Sequence, residues 1–439
     1  MKFYDREREL RNLDRIQQLS LSEGQLTVLV GRRRIGKTQL LLKSTEQQPT
    51  LYFFVTRKTE NMLCSDFIEE IQAKLHVPTG DYSSFGKLFE HLMILAKDRP
   101  FNLIIDEFQE FIRVNASVFS EIQKYWDLHK KTSKMNLLIS GSIYSLMHKI
   151  FEDKQEPLFS RAGQIINLKP FNVSVLREIL FDHNPDYTSE DLLALYAFTG
   201  GVAWYVELFM KYGAFSFDQM IRLIIEEDSP FLNEGKNLLI EEFGKEYTIY
   251  FSILECIARG LNTRGEIESH LGQIETGGYL SRLEKDFSVI GQQRPIFAKP
   301  ASKQVRYLIE DNFMAFWFRF IYKYQNFIAS GSFALLEDII RRDYTTFSGL
   351  MLERYFKSKY RETGHYTNIG RFWDRKGENE IDLIAVNELY KTIEFAEIKR
   401  NAFRINLDEL KKKATYFLQH TGECKGYNIS YRGLSMEDL

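Results

Sequence analysis

One stretch restricts the fold of this chain more than any other: Val28-Leu29-Val30-Gly31-Arg32-Arg33-Arg34-Ile35-Gly36-Lys37-Thr38-Gln39-Leu40-Leu41. An apolar strand runs through a glycine-containing loop into an apolar-periodic helix, and Gly31, Gly36, Lys37 and Thr38 match the G-x-x-x-x-G-K-[ST] spacing without a mismatch. The spacing has a physical reason. Glycines let the backbone curl until successive N–H groups point into one concavity, where they hold phosphate oxygens. The loop from Gly31 to Gln39, with Arg32, Arg33, Arg34 and Ile35 between the glycines, is therefore expected to cradle a nucleoside triphosphate. Lys37 is expected to reach the β- and γ-phosphates, and the Thr38 hydroxyl to ligate Mg²⁺. The plainer reading is a strand-to-helix turn that happens to contain two glycines, and the apolar elements on both sides argue against it.

A second segment supports the first. Phe101-Asn102-Leu103-Ile104-Ile105-Asp106-Glu107 is a short apolar run ending in two acids, the pattern of a fully buried parallel strand. Carboxylates at the C-terminal end of such a strand lie in the crevice where open α/β sheets bind ligands. Asp106 is expected to hold Mg²⁺, and Glu107 to orient or deprotonate the attacking water. A third strand, Met135 to Ser140, runs into Gly141-Ser142. There Ser142 is either a reporter of the γ-phosphate or part of a small-residue turn. Arg161, after Pro157-Leu158-Phe159-Ser160, is either a phosphate-reaching arginine or half of a surface or interdomain salt bridge.

At 439 residues the chain should hold two or three domains. A formal net charge of -2 excludes a uniformly basic surface, so any contact with DNA or other nucleic acid must be local. The three cysteines, Cys64, Cys256 and Cys424, form no C-x-x-C pair and point to a reducing compartment. The start of the chain carries no apolar targeting segment, and the densest apolar run, Phe313 to Phe318, stops at Arg319. The expectation is a cytoplasmic protein with no membrane partner, in which oligomerisation is left open.

The apolar pattern divides the chain. Up to residue 171 strands alternate with helical patterns, the mark of a doubly wound parallel sheet, with strands near 26–30, 50–55, 101–105, 135–140 and 164–168. Residues 172–244 have helical spacing and read as a lid, interrupted by Thr199-Gly200-Gly201. Residues 245–312 read as three helices and a strand pair, a winged helix-turn-helix, whose second helix opens on a Thr263–Glu266 capping box. A DNA-reading third helix would be basic, yet Arg282 and Lys285 alternate with Glu284 and Asp286, which favours an interdomain spacer. Residues 313–340 read as a helical connector and 341–439 as a C-terminal α/β domain.

That last segment carries a second chemical signal. Strands are expected over 377–386 and 391–399, joined by Asn387-Glu388-Leu389-Tyr390. A turn pairing Asn387 with Tyr390 sets Asp382 opposite Phe395 and diagonal to Glu397, on the face that also holds Lys399. Two carboxylates and an ammonium on one spot are costly unless a cation joins them. Two acids can bind Mg²⁺ while a lysine orients water beside a scissile phosphate. A solvated hairpin face of alternating charge is the alternative.

Taken together, these segments resemble the archaeal-type P-loop ATPases of the AAA+/STAND group that end in a nuclease-like domain. The likeness includes Phe3 to Leu10, Gly31–Thr38, Ile105-Asp106-Glu107, Ser140-Gly141-Ser142, Pro157 to Arg161, Thr199-Gly200-Gly201 and Asp311 to Phe320. Glu380-Ile381-Asp382 and Glu397-Ile398-Lys399 are similar to the PD-(D/E)xK nuclease signature, and the resemblance implies Glu353, on the preceding helix, as an extra metal-binding acid. It implies an ATP- and Mg²⁺-dependent switch controlling a metal-dependent nuclease-like domain that acts on nucleic acid. The alternative is a non-cleaving DNA-binding or signalling ATPase whose C-terminal domain only binds. Ser160 stands where the family often has Gly, and Val202-Ala203 where it often has Pro.

Overall fold

The computed structural model describes residues 2–243, 247–299 and 301–439. The expected lid-to-winged-helix boundary at 244/245 lies outside the described residues. The chain forms two compact units, Asp5–Lys169 and Met1–Tyr4 with Pro170–Leu439.

The first unit is built on five parallel strands, β1 (Gln25–Val30), β2 (Thr50–Phe54), β3 (Phe101–Asp106), β4 (Met135–Gly141) and β5 (Gln164–Asn167), in the order β2-β3-β4-β1-β5. Strand side chains alternate between two buried layers. Val28, Ile105 and Ile139 pack with the helices Glu60–Leu75, Phe85–Leu95 and Ser117–His129. Leu29, Ile104 and Leu138 pack with Leu13 of the helix Glu7–Ser20 and with Leu40 and Leu41 of the helix Lys37–Ser44. Period-two burial on both faces is why these strands read as continuous apolar runs. Pairing of Leu29 with Ser140 and of Ile105 with Ile139 brings the C-terminal ends of β1, β3 and β4 to one level.

The second unit begins with the helices Val173–His183, Ser189–Thr199, Ala203–Lys211, Phe217–Ile225 and Pro230–Phe243. Gly201, between the second and third, has φ 78°, and a Cβ there would lie 2.1 Å from the Phe171 carbonyl oxygen, so only glycine fits. The helices Tyr247–Ala258, Arg264–His270 and Gly277–Lys285 follow, and then the antiparallel pair β6 (Ile290–Gln293) and β7 (Arg306–Ile309). Both halves of the Thr263–Glu266 capping box form.

The helix Phe333–Glu362 is 30 residues long and runs unbroken through position 341, where a domain boundary was expected. It leads into a mixed sheet of β8 (Asn368–Trp373), β9 (Glu380–Asn387), β10 (Thr392–Ile398) and β11 (Asn428–Leu434), ordered β11-β10-β9-β8. β10 runs antiparallel to β9 and parallel to β11, with the helix Leu407–Thr421 between β10 and β11 in sequence. The segment joining β6 to β7 packs on this sheet: Ile296 donates its N–H to the Arg371 carbonyl at 2.7 Å and is buried with Phe372, Ile381 and Phe417.

The β9–β10 register differs from the expected one. Asn387 pairs with Thr392, because the connection is the four residues Glu388–Lys391 and not a two-residue turn. Lys391 closes it with φ 49°, a conformation that the residues on either side do not advertise. The ladder runs to Leu383 opposite Ala396, so one step further Asp382 stands level with Glu397 rather than diagonal to it. Among the described residues no helix is long and apolar enough to cross a membrane.

Candidate functional site

The phosphate-type loop lies at the end of β1, where Gly36 (φ 95°) turns the chain into the helix beginning at Lys37. Lys37 is 7% exposed and folds back over the loop, its Nζ donating to the carbonyls of Gly31 (2.9 Å) and Arg32 (3.0 Å). Burial pushes its ammonium down to about 8, opposed by the charges of Glu107 and Asp106. Gly31 and Ile35 are buried, Arg32, Arg33, Arg34, Gly36 and Thr38 half-buried, and Gln39 exposed.

Asp106 is the hub. Its carboxylate accepts from Thr38 Oγ1 (2.7 Å), Tyr52 Oη (2.9 Å), its neighbour Glu107 N (3.0 Å) and Ser140 Oγ. The Lys37 helix, β2, β3 and β4 thus meet at one buried carboxylate. Glu107 follows in the left-handed region (φ 53°), a strained conformation for a non-glycine residue. Its Oε2 accepts from Ser142 Oγ (2.7 Å) and from Gln109 Nε2, and Arg33 Nε reaches Ser142 Oγ at 3.4 Å. Ser142 therefore touches the acid expected to handle water. Thr38 and Asp106 present adjacent hydroxyl and carboxylate oxygens, a hard donor set that fits Mg²⁺. Arg161 is committed elsewhere: its guanidinium is forked on Asp127 (3.0 and 3.4 Å) and donates to the Phe159 carbonyl (2.9 Å). Ser160 before it has φ 61°, a left-handed conformation that favours glycine.

Sequence reasoning missed Tyr52, Ser140 and Gln109 as direct partners of the two acids. Tyr52 pairs with Ile104, so on the adjacent parallel strand it shares a face with Asp106. A strand order placing β2 beside β3 was the signal that would have found it.

In the second unit Asp382, Glu397 and Lys399 do come together. Lys399 Nζ lies 3.0 Å from Asp382 Oδ2 and 3.6 Å from Glu397 Oε1, at the end of β9 and β10. Burial is the largest single influence and opposes the Lys399 charge, but the field and hydrogen bond of Asp382 together with the charges of Glu397 and Glu353 outweigh it and raise the ammonium above its usual range. Asp382 also accepts from Ile398 N (2.9 Å), and Glu397 from Asn406 N (2.7 Å), which fixes both carboxylates. A cavity of about 400 Å³ opens here, lined by Glu353, Arg371, Glu380, Asp382, Glu397 and Lys399 among others. Glu353 pairs with Arg371 (2.6 Å), and Glu380 with Arg371 (2.9 Å) and Arg306 (2.7 Å). Burial pushes Glu353 up to about 7 against the pull of Arg371. No set of three or more acid, histidine or cysteine side chains is gathered at metal-binding spacing among the described residues. The oxygen-only donors Asp382 and Glu397 nonetheless fit a hard divalent cation. Glu380 belongs to the signature stretch Glu380-Ile381-Asp382, but its arginine partners Arg371 and Arg306 were not foreseen; nothing local in the sequence marks them.

Comparison with known proteins fits this geometry. Residues 3–209 match a family described as an ATPase domain predominantly from Archaea, and residues 317–414 match one described as Archaea bacterial proteins of unknown function. The chain carries an archaeal-type ATPase domain in its N-terminal half. Along most of its length it is also similar to MJECL04, an uncharacterized protein of Methanocaldococcus jannaschii. The two are 33% identical over 407 residues, which is 90% of this chain and 87% of that protein, and the chain belongs to the same family. Among solved structures it resembles the Walker-type ATPase of Pyrococcus abyssi (TM-score 0.55, 21% identity, 72% of this chain and 96% of that one). It also resembles the Aeropyrum pernix ORC2 protein, determined as ADPNP–ADP complexes (TM-score 0.52, 15% identity, 75% and 96%). At those identities the likeness is one of fold.

Proposed function

We propose that the chain is an ATP-driven switch whose nucleotide state controls a metal-dependent, nuclease-like site acting on nucleic acid. The Thr38–Asp106 contact carries the nucleotide half of this reading, since it sets a metal-ligating pair beside Lys37. ATP occupies the loop Gly31–Gln39, Lys37 swings from the loop carbonyls onto the phosphates, and Thr38 with Asp106 holds Mg²⁺. Bound there, Mg²⁺ neutralises charge on the phosphate oxygens. Glu107, pinned by Ser142 and Gln109, orients and accepts a proton from the attacking water. Ser142, within reach of both Glu107 and Arg33, is suited to relay the presence of the γ-phosphate.

For the C-terminal half, support comes from Asp382, Glu397 and Lys399 converging in one cavity, with Glu353 on the adjoining helix. Asp382 and Glu397 are the metal-binding acids, and Lys399 orients the water. We assign residues 245–312 to a winged helix used as a spacer, because its wing residue Ile296 is buried against the β8 side of the C-terminal sheet. The second reading, a binding module without cleavage, is favoured by one observation. Lys399 already pairs with Asp382 and Glu397, and Arg371 with Glu353, so basic side chains stand where a metal ion would otherwise offset the acids.

The deciding experiment is Mg²⁺- or Mn²⁺-dependent cleavage of single- and double-stranded DNA and RNA, with and without ATP. Cleavage abolished by Asp382→Ala, with ATP hydrolysis retained, supports the nuclease reading. No cleavage by wild type under any of these conditions leaves the binding module.

A further inference from the structure

The second unit contains another cavity, of about 450 Å³, bounded by Tyr307 to Ile309 of β7, the helix Asn312–Phe316 and one side of the helix Phe333–Glu362. Arg354, Lys357 and Arg361 line it from that long helix. They stand at i, i+3 and i+7, a spacing that forms a single stripe. Their partners are few. Arg354 donates one hydrogen bond, to Asn312 Oδ1 at 3.0 Å, and no carboxylate lies within ion-pair distance of it among the described residues. Lys357 and Arg361 have neither a side-chain hydrogen bond nor an ion pair among the described residues. Burial pushes Lys357 down to about 8, and the like charge of Arg361 reinforces that shift more strongly than Glu310, a carboxylate in the same lining, opposes it. Burial lowers Arg354 as well.

A half-buried ammonium among arginines, without a carboxylate on it, is costly in an empty protein. An anion entering the cavity removes that cost. Phosphate is the anion that clustered arginine and lysine recognise best, by charge-assisted hydrogen bonds. Tyr196 and Tyr307 are among the lining residues, and Asn262 supplies an amide of the kind that recognises a base. A cavity of this volume is of the size that takes one nucleotide.

We propose that this cavity binds a nucleotide-sized, phosphate-bearing ligand, its phosphate held by Arg354, Lys357 and Arg361. The inference stands on these cations and does not depend on cleavage at Asp382 and Glu397, although Glu353, Arg371 and Asp382 line both cavities.

Calorimetry on the full-length Lys37→Ala protein, in which the loop at Gly31–Thr38 is impaired, tests it with three probes: inorganic phosphate, AMP, and a 5′-phosphorylated single-stranded dinucleotide. At least one organic probe should bind, and Lys357→Met and Arg361→Ala should each weaken it by about tenfold or more, the loss of one charge-assisted contact. Because Arg361 is exposed, its variant reads binding even if Lys357→Met perturbs folding. AMP binding as tightly as the dinucleotide assigns a free nucleotide; a tighter dinucleotide assigns a strand end. Glu397→Ala, at a residue that lines only the other cavity, should leave binding in place, which separates this site from the acid cluster. Absence of binding by all three probes, or binding indifferent to both cation variants, overturns the proposal.

Discussion

Replacing Asp106 tests whether one carboxylate organises the nucleotide end of the sheet. It is 3% exposed and accepts four hydrogen bonds, from Thr38, Tyr52, Glu107 N and Ser140. Asp106→Ala leaves the fully buried Ser140 hydroxyl and the half-buried Tyr52 hydroxyl without that acceptor, while Thr38 can turn to water. Each unsatisfied buried donor costs about 1–3 kcal/mol, so with the lost side-chain packing the total is roughly 3–5 kcal/mol. Asp106→Asn keeps the shape and one acceptor oxygen, and hydroxyls rotate to suit, so about 1–2 kcal/mol is expected. Hydrogen exchange of the β3 and β4 amides in metal-free, nucleotide-free protein reads the difference, because those amides are released by unfolding of the whole unit. The alanine variant should exchange about 10²- to 10⁴-fold faster than wild type and the asparagine variant roughly tenfold faster. Alanine exchanging less than about fivefold faster would refute the hub assignment.

Three further outcomes follow from the geometry. Ile296→Ala removes a residue 6% exposed against Phe372, Ile381 and Phe417, and should cost about 2–4 kcal/mol in denaturant unfolding. Lys357 faces Arg354 and Arg361 on its own helix, with Arg371 and Glu310 from neighbouring elements, and its charged form is disfavoured in the folded state from 10.5 down to about 8. The penalty is complete below about pH 8 and fades as pH rises toward 10.5, so Lys357→Met should be more stable than wild type at pH 7, by at most about 3 kcal/mol, with the gap narrowing by pH 10. Arg161→Ala breaks a pair whose side chains are 30% and 44% exposed, so it should cost under about 1 kcal/mol in thermal unfolding, with ATP turnover within about threefold of wild type.

Much of this fold was legible because buried parallel strands leave apolar runs, and three of the five strands, β1, β3 and β4, appear where such runs lead to Gly31, Asp106 and Ser140. The loop and its two acids were legible because their chemistry is local in sequence. Tyr52 was not, since its role depends on β2 lying beside β3, a fact of topology that no local spacing encodes. The β9–β10 register was misread by two residues because Glu388–Lys391 has no Asn-Gly or Gly-rich signature to fix its length. Asp382, Glu397 and Lys399 still meet, because a shift of two preserves the face on which each side chain lies. The stripe of Arg354, Lys357 and Arg361 is plain helical spacing in the sequence; only the cavity beside it distinguishes it from a solvated face.

The central claim is that Glu107 acts on the water that attacks ATP bound at Gly31–Thr38. Single-turnover hydrolysis of ATP by Glu107→Gln, measured with ATP affinity on the same protein, tests it directly. Affinity should stay close to wild type, because glutamine keeps the shape and the Ser142 contact, while the hydrolysis rate falls by roughly 10²-fold or more. Hydrolysis at the wild-type rate, with ATP bound normally, would contradict the assignment.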